Sequence, residues 1–152
     1  MIKYITDSET KIDIAKDILD DLTEWFGMPE YTNDYIKNSA NMPFFAAYID
    51  HNPVGFISLK ETSKYTAEIY CMGVKKQFHH QGFGKQLHEA FEAYATSKHY
   101  KFLQVKTVQE GKYDAYDKTN AFYRSLGYYE LEVLPTLWDE WNPCQILVKS
   151  IG

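Results

Sequence analysis

The sequence predicts an α+β fold, a central mixed and mostly antiparallel β-sheet flanked by about four helices, in the order βααβββαβαββ. Three observations carry that expectation. Apolar residues recur at helical spacing over Ile12–Phe26 and again from Phe83 to Tyr94. Between these stretches, "FFAAYID", "VGFISLKE" and "TAEIYCMGV" are short apolar runs, the first two joined by a turn at Asp50–Pro53. The remainder alternates strand, helix, strand, strand. With 152 residues and no internal repeat or linker, the chain is expected to form one domain over residues 1–152.

Each element follows from its residues. "IKYIT" reads as a first strand. Ile12, Ala15, Ile18, Leu19, Leu22, Trp25 and Phe26 give a first helix, which Gly27 and Pro29 are expected to close. A weaker helix follows over Asp34–Ala40, with Thr32 or Asn33 as its cap. The three strands above form an antiparallel meander. A long helix is expected from Gln81 to Lys98, then a strand "KFLQVKTV" and a short helix "KTNAFYRSLG" that Gly127 terminates. "YYELEVL" and "CQILVKSI" are the last two strands.

Composition narrows the partners. Net charge is −5 with no long basic run, which argues against a nucleic-acid partner, because phosphate neutralisation drives such binding. No apolar segment approaches the length of a membrane span and no signal core opens the chain, so a cytoplasmic location is expected. Cys71 and Cys144 lie in apolar strand-like runs and read as buried thiols, with a disulfide as the alternative. His88 and His99 read as surface or helix-end residues, and no group has metal-ligand spacing.

One stretch demands an explanation. "FHHQGFGKQL", Phe78–Leu87, sets two glycines where a helix is about to begin. Glycine in a helix costs about 0.5–1 kcal/mol relative to alanine, so the pair points to a close backbone approach. Unpaired N–H groups and the helix dipole at such a start favour a phosphate or diphosphate, and His79, His80 and Lys85 can add charge. A loop whose glycines serve only for turning is the alternative. The third glycine and following acidic residue of a dinucleotide fold are missing, as is the Gly-Lys-Ser/Thr of a nucleotide-triphosphate loop.

"VKKQFHHQGFGKQL" (Val74–Leu87) resembles the acetyl-CoA motif of the GNAT N-acetyltransferase superfamily, a valine-ended strand followed by Gln/Arg-x-x-Gly-x-Gly/Ala. "FYRSLGY" (Phe122–Tyr128) resembles that superfamily's second hallmark, and the element order matches along essentially the whole chain. The resemblance implies a GNAT-like fold, acetyl-CoA as the acetyl donor, no metal, and an amine as acceptor; a homodimer is a further possibility it raises. Main-chain amides from His79 through His80, Gln81, Gly82, Phe83 and Gly84 to Lys85 would hold the diphosphate of coenzyme A. The pantetheine arm would lie along the strand at Met72, Gly73 and Val74. Two positions depart from the pattern: His79 replaces Gln or Arg, and Tyr116 stands where many members have Asn, with Asn120 as a possible substitute.

Acetyl transfer to an amine needs a neutral nucleophile, donors for the developing oxyanion and help for the leaving thiolate. An alkyl ammonium of pKa about 10.4 costs roughly 4–5 kcal/mol to deprotonate at pH 7. Glu68 is the candidate base; period-two alternation sets it on one face with Tyr70 and Met72, although an ordinary solvent-facing glutamate fits the same pattern. Tyr123 is the candidate acid facing the thiolate, with a core tyrosine as its alternative. "EWFGMPEY" borders the acceptor site in this fold, so Glu24, Trp25 and Glu30, with Tyr70, are candidate acceptor-binding residues for a small cationic amine. Trp138 and Trp141 fit a pocket wall or plain packing. A coenzyme-A-binding sensor without turnover, and a protein or peptide amine as acceptor, remain the competing readings.

Overall fold

The computed structural model describes all residues from Met1 to Gly152. The elements are β1 (Ile2–Ile5), α1 (Ser8–Asp20), α2 (Pro29–Ser39), β2 (Phe44–Ile49), β3 (Asn52–Ser63), β4 (Thr66–Val74), α3 (Phe83–Ser97), β5 (Phe102–Val108), α4 (Asp114–Ser125), β6 (Tyr129–Asp139) and β7 (Asn142–Ser150). This is the expected order. Seven strands form one sheet in the order β1-β2-β3-β4-β5-β7-β6, with β4–β5 the parallel pair and every other pair antiparallel.

Each face of the sheet buries its own core. Ile14, Ile18 and Leu19 of α1 and Ile36 of α2 pack against Phe44, Phe56 and Cys71 on one face. Leu87 and Phe91 of α3 and Tyr123 of α4 pack against Ile57, Ile69, Leu103 and Leu147 on the other. Both cysteines are free and buried. No helix is long and apolar enough to cross a membrane.

The helix boundaries differ from the sequence expectation for local reasons. α1 starts at Ser8 because Asp7 caps it, its Oδ2 accepting the Thr10 N–H at 2.9 Å. It ends at Asp20, well before Phe26; Leu22, Trp25 and Phe26 sit in tight turns whose N–H groups bond Leu19 and Leu22 carbonyls. Pro29 opens α2 rather than closing α1, since a helix's first residue needs no N–H partner. The Thr32 hydroxyl then donates to the Phe26 and Met28 carbonyls instead of capping a later start. α4 likewise begins at Asp114, four residues before the expected Lys118, with Asp114 and Asp117 in the first turn where the dipole favours them.

Two features of β4 position the site. It pairs with β5 only from Thr66↔Phe102 to Ile69↔Val105, whereas β4 continues along β3 to Val74 and β5 along β7 to Val108. Past Ile69 the two strands therefore part, and a wedge opens in the sheet. In addition, β3 pairs Ser58 with Cys71 and Leu59 with Ile69, leaving Tyr70 as a bulge. The bulge shifts side-chain parity. Ile69 and Met72 pack on the α3–α4 face, while Tyr70 and Cys71 pack on the α1–α2 face. The expected common face for Glu68, Tyr70 and Met72 is thus split, with Met72 on the opposite side.

Candidate active site

The wedge between β4 and β5 is the throat of a cavity of about 870 Å³ that reaches the start of α3 at one end and the α1–α2 connection at the other. At the α3 end the main chain turns through two left-handed residues, His80 with φ 61° and Gly82 with φ 86°. A side chain at Gly82 would meet no atom, so glycine is needed there for conformation and not for space. Gly84 serves packing instead: a Cβ would approach the Phe122 ring to 3.2 Å.

Gly82 caps α3 without a side-chain bond, and the amides of His80, Gln81, Gly82, Phe83, Gly84 and Lys85 donate to no protein acceptor. This row of free donors at a helix N-terminus fits a diphosphate. His79 stands outside the row. Its N–H is spent on the Lys76 carbonyl at 3.1 Å, and its Nε2 lies 2.6 Å from the Val74 carbonyl. Its departure from Gln or Arg thus gives a side chain that ties the loop to the end of β4. The Gln81 side chain is turned away to the Gln77 carbonyl, leaving only its amide for the site.

Met72, Gly73 and Val74 line the throat, although Gly73 owes its identity to α1 and the turn after it, since a Cβ there would come within 2.7 Å of Leu22 and 3.2 Å of Ile18. Tyr123 enters from α4. It is 5% exposed, and its hydroxyl has a single partner, the Met72 sulfur at 3.8 Å. Burial, with smaller contributions from Cys71 and Tyr116, pushes the Tyr123 phenol well above the range of free tyrosine. The side chain is therefore a neutral donor with an almost unspent O–H, already aimed at a sulfur atom.

Asn120 does not substitute for the family's asparagine. It is fully buried, accepts from the Thr107 hydroxyl at 2.6 Å and donates to the Val108 carbonyl at 3.0 Å, so its amide fastens α4 to β5 and is off the cavity wall. Tyr116, by contrast, is on the wall, and its hydroxyl donates to the Trp25 carbonyl at 3.0 Å. The Trp25 indole returns the contact, donating to the Ala115 carbonyl at 3.2 Å and Thr119 Oγ1 at 3.1 Å. These bonds fasten the α1–α2 connection to the first turns of α4.

At the α1–α2 end the wall is aromatic, with Trp25, Phe26, Tyr35, Tyr70, Tyr116 and Trp138. Glu24 is on this wall but is paired with Lys76 at 3.0 Å; Glu30 is exposed on α2 and does not reach the cavity. Trp141 is 73% exposed and also lies off the wall. Glu68 is 4% exposed and behind the surface, its Oε1 accepting from Gln104 Nε2 at 2.9 Å and pairing with Lys106 Nζ at 3.1 Å. Lys106 is what the cavity meets. Sequence reading passed over Lys106 and Tyr35; the signal available for Lys106 was the parallel register that sets Gln104 beside Glu68 and Lys106 one alternation further on.

His88 is buried rather than superficial, bonded through Nε2 to the Tyr128 hydroxyl at 2.7 Å, while His99 sits exposed just past the C-terminus of α3 with φ 67°.

No curated protein matches the chain in sequence. Its fold, however, is shared with many solved structures. Ard1 from Thermoplasma volcanium aligns at a TM-score of 0.80 and 16% identity over 100% of this chain and 97% of its own. The aminoglycoside 6′-N-acetyltransferase from Enterococcus faecium aligns at 0.79 and 19% identity over 100% and 97%. A GNAT family acetyltransferase from Elizabethkingia anophelis with acetyl-CoA bound aligns at 0.70 and 19% over 88% of this chain and 90% of its own. The sequence profile of the Acetyltransferase (GNAT) family matches residues 12–128. A match across that much of the chain, on a sheet that parts between β4 and β5 above a row of free amides, establishes that this protein belongs to the GNAT acetyltransferase family.

Proposed function

We propose that residues 1–152 act as one domain that transfers an acetyl group from acetyl-CoA to a primary amine by direct attack in a ternary complex. The observation that carries this reading is the row of unpartnered amides from His80 to Lys85, continuous through the throat with the Tyr123 hydroxyl. Acetyl-CoA supplies an activated thioester when bound. The free amides and Lys85 would hold its diphosphate, and Met72 and Val74 on the unpaired side of β4 would guide its pantetheine arm as an added strand.

Within that frame Tyr123 donates a hydrogen bond to the leaving sulfur and keeps its own proton. Burial makes its phenol a far weaker acid than a thiol, so full proton donation is uphill while donation of a hydrogen bond is not. Glu68 is the proposed sink for the amine's proton. Because Lys106 stands between it and the cavity, the proton would reach Glu68 by way of solvent rather than directly. The ammonium first gives one proton to solvent; as the neutral nitrogen then bonds the acetyl carbon, the carbon–sulfur bond breaks to leave a thiolate, and the second amine proton leaves towards Glu68.

The reading is tested by following free thiol release from acetyl-CoA with a panel of primary amines. Turnover with at least one acceptor is expected. Heat of coenzyme A binding in a calorimeter, with no thiol release across the panel, would instead identify a coenzyme-A sensor.

A further inference from the structure

Resting on the acetyl-transfer reading, we infer a substrate class: the acceptor is a small aromatic primary amine that also carries a carboxylate or comparable anion, recognised by Lys106. The Tyr70 bulge and the pairing Glu68↔Gln104 set Glu68, Tyr70 and Lys106 on the α1–α2 face, the side away from Met72. Lys106 Nζ is held at 3.1 Å by the buried Glu68 carboxylate. One of its three N–H bonds satisfies that contact, and two are left for the cavity it lines.

The wall itself offers a polycation no free carboxylate, Asp34 standing near Tyr70 but off the wall. Glu24 is the sole carboxylate on the wall and is already paired with Lys76 at 3.0 Å. A di- or polyamine would bring a second cation to a wall that already carries Lys106, paired with Glu68, and Lys118, which makes no ion pair. Like charges there cost energy, and the loss of hydration would go unrepaid. A flat ring, in contrast, finds matching walls. The Tyr35 and Tyr70 rings lie 5.2 Å apart and Phe26 and Tyr35 5.8 Å apart, with Trp138 also on the wall. The small cationic amine expected from Glu24 and Glu30 is therefore replaced by an amphoteric aromatic one.

The test compares matched acceptors, phenylalanine against phenethylamine and tryptophan against tryptamine, together with spermidine and kanamycin, by thiol release from acetyl-CoA. The carboxylate-bearing member of each pair is expected to show a kcat/KM about 10- to 100-fold higher, as a charge-assisted contact would give. Lys106→Arg should preserve that ratio and Lys106→Met should reduce it to about one. Loss of Lys106 leaves Glu68 buried without its cation, so the double variant Lys106→Met/Glu68→Gln, compared with Glu68→Gln alone, repeats the measurement without an orphaned charge. A ratio unchanged by removing Lys106, or preference for spermidine or kanamycin, overturns this inference and leaves acetyl transfer standing. Thiol release with none of the acceptors, and none with a wider amine panel, overturns acetyl transfer itself and this inference with it.

Discussion

Tyr123 separates what a side chain does for stability from what it would do for chemistry. Its ring fills the α3–α4 core against Tyr128 at a centroid distance of 5.6 Å, while its hydroxyl meets only a thioether, a weak acceptor. Removing that oxygen should cost the fold little. A hydrogen bond to a developing thiolate is worth about 1.5–3 kcal/mol, so Tyr123→Phe is expected to lower turnover roughly 10- to 150-fold. Coenzyme A affinity by calorimetry and the thermal midpoint should stay nearly unchanged. Unaltered turnover in this variant would remove Tyr123 from the chemistry and leave it a core residue. At this scale the sequence singled out Gly82, which the left-handed φ of 86° explains, whereas Gly84 proves to be set by the Phe122 ring and the role of Tyr123 stays a proposal. It misassigned Asn120, whose amide is consumed by Thr107 and Val108, because hydrogen bonds between elements leave no mark in local spacing.

Elements carry a second kind of information, and α3 illustrates it. Its exposed N-terminal amides face the cavity, while one turn further along His88 is 2% exposed and bonded to Tyr128 at the foot of β6. Burial lowers the His88 pKa from 6.5 to about 4, with Glu92 opposing the shift and Lys149 adding to it. The folded protein thus binds its proton at lower pH than the unfolded chain does. The contribution of neutral His88 is fully present above pH 6.5 and is lost as the pH falls through about 4. At most this amounts to about 3 kcal/mol. His88→Gln, which can still bond the Tyr128 hydroxyl, should flatten urea-denaturation stability between those two pH values; a slope equal to that of the parent protein would assign the loss to carboxylates. His88 falls on the apolar stripe of a helix, where an imidazole looks like any polar interruption, so only packing reveals it. The strands were more legible, β4 being recovered residue for residue. Its bulge was not, since "AEIYCMGV" alternates on paper and only pairing with β3 shows that Tyr70 is the extra residue. That single slip moved Met72 to one face and left Glu68 on the other, whereas Lys106 was missed because its place depends on the parallel register of β5 with β4.

Across the whole molecule, the two cores share one sheet and the cavity cuts between its halves. α1 and α2 are joined to α4 through Trp25 and Tyr116, so the faces are linked beyond the backbone of the sheet. Cys71 lies in the α1–α2 core, and Cys144 on β7 is fully buried across the wedge. Burial pushes the Cys71 thiol up strongly and raises that of Cys144 to about 11, with Lys106 pulling the latter down and Glu68 pushing it up. Neither forms appreciable thiolate in the native state at neutral pH, so a thiol reagent should label both only as the structure opens. If the halves open together, the two cysteines label at one rate, set by global unfolding. Coenzyme A bound to the native state alone then slows both equally, by roughly 100-fold at a concentration one hundred times its Kd. Mass spectrometry of the labelled protein reads each site separately. Faster labelling of Cys71 that coenzyme A fails to suppress would show that the α1–α2 layer opens independently of the cofactor cleft. Equal suppression at both sites would show that occupying the wedge locks both faces of the sheet as one cooperative unit, in line with the bonds that Trp25 makes to α4.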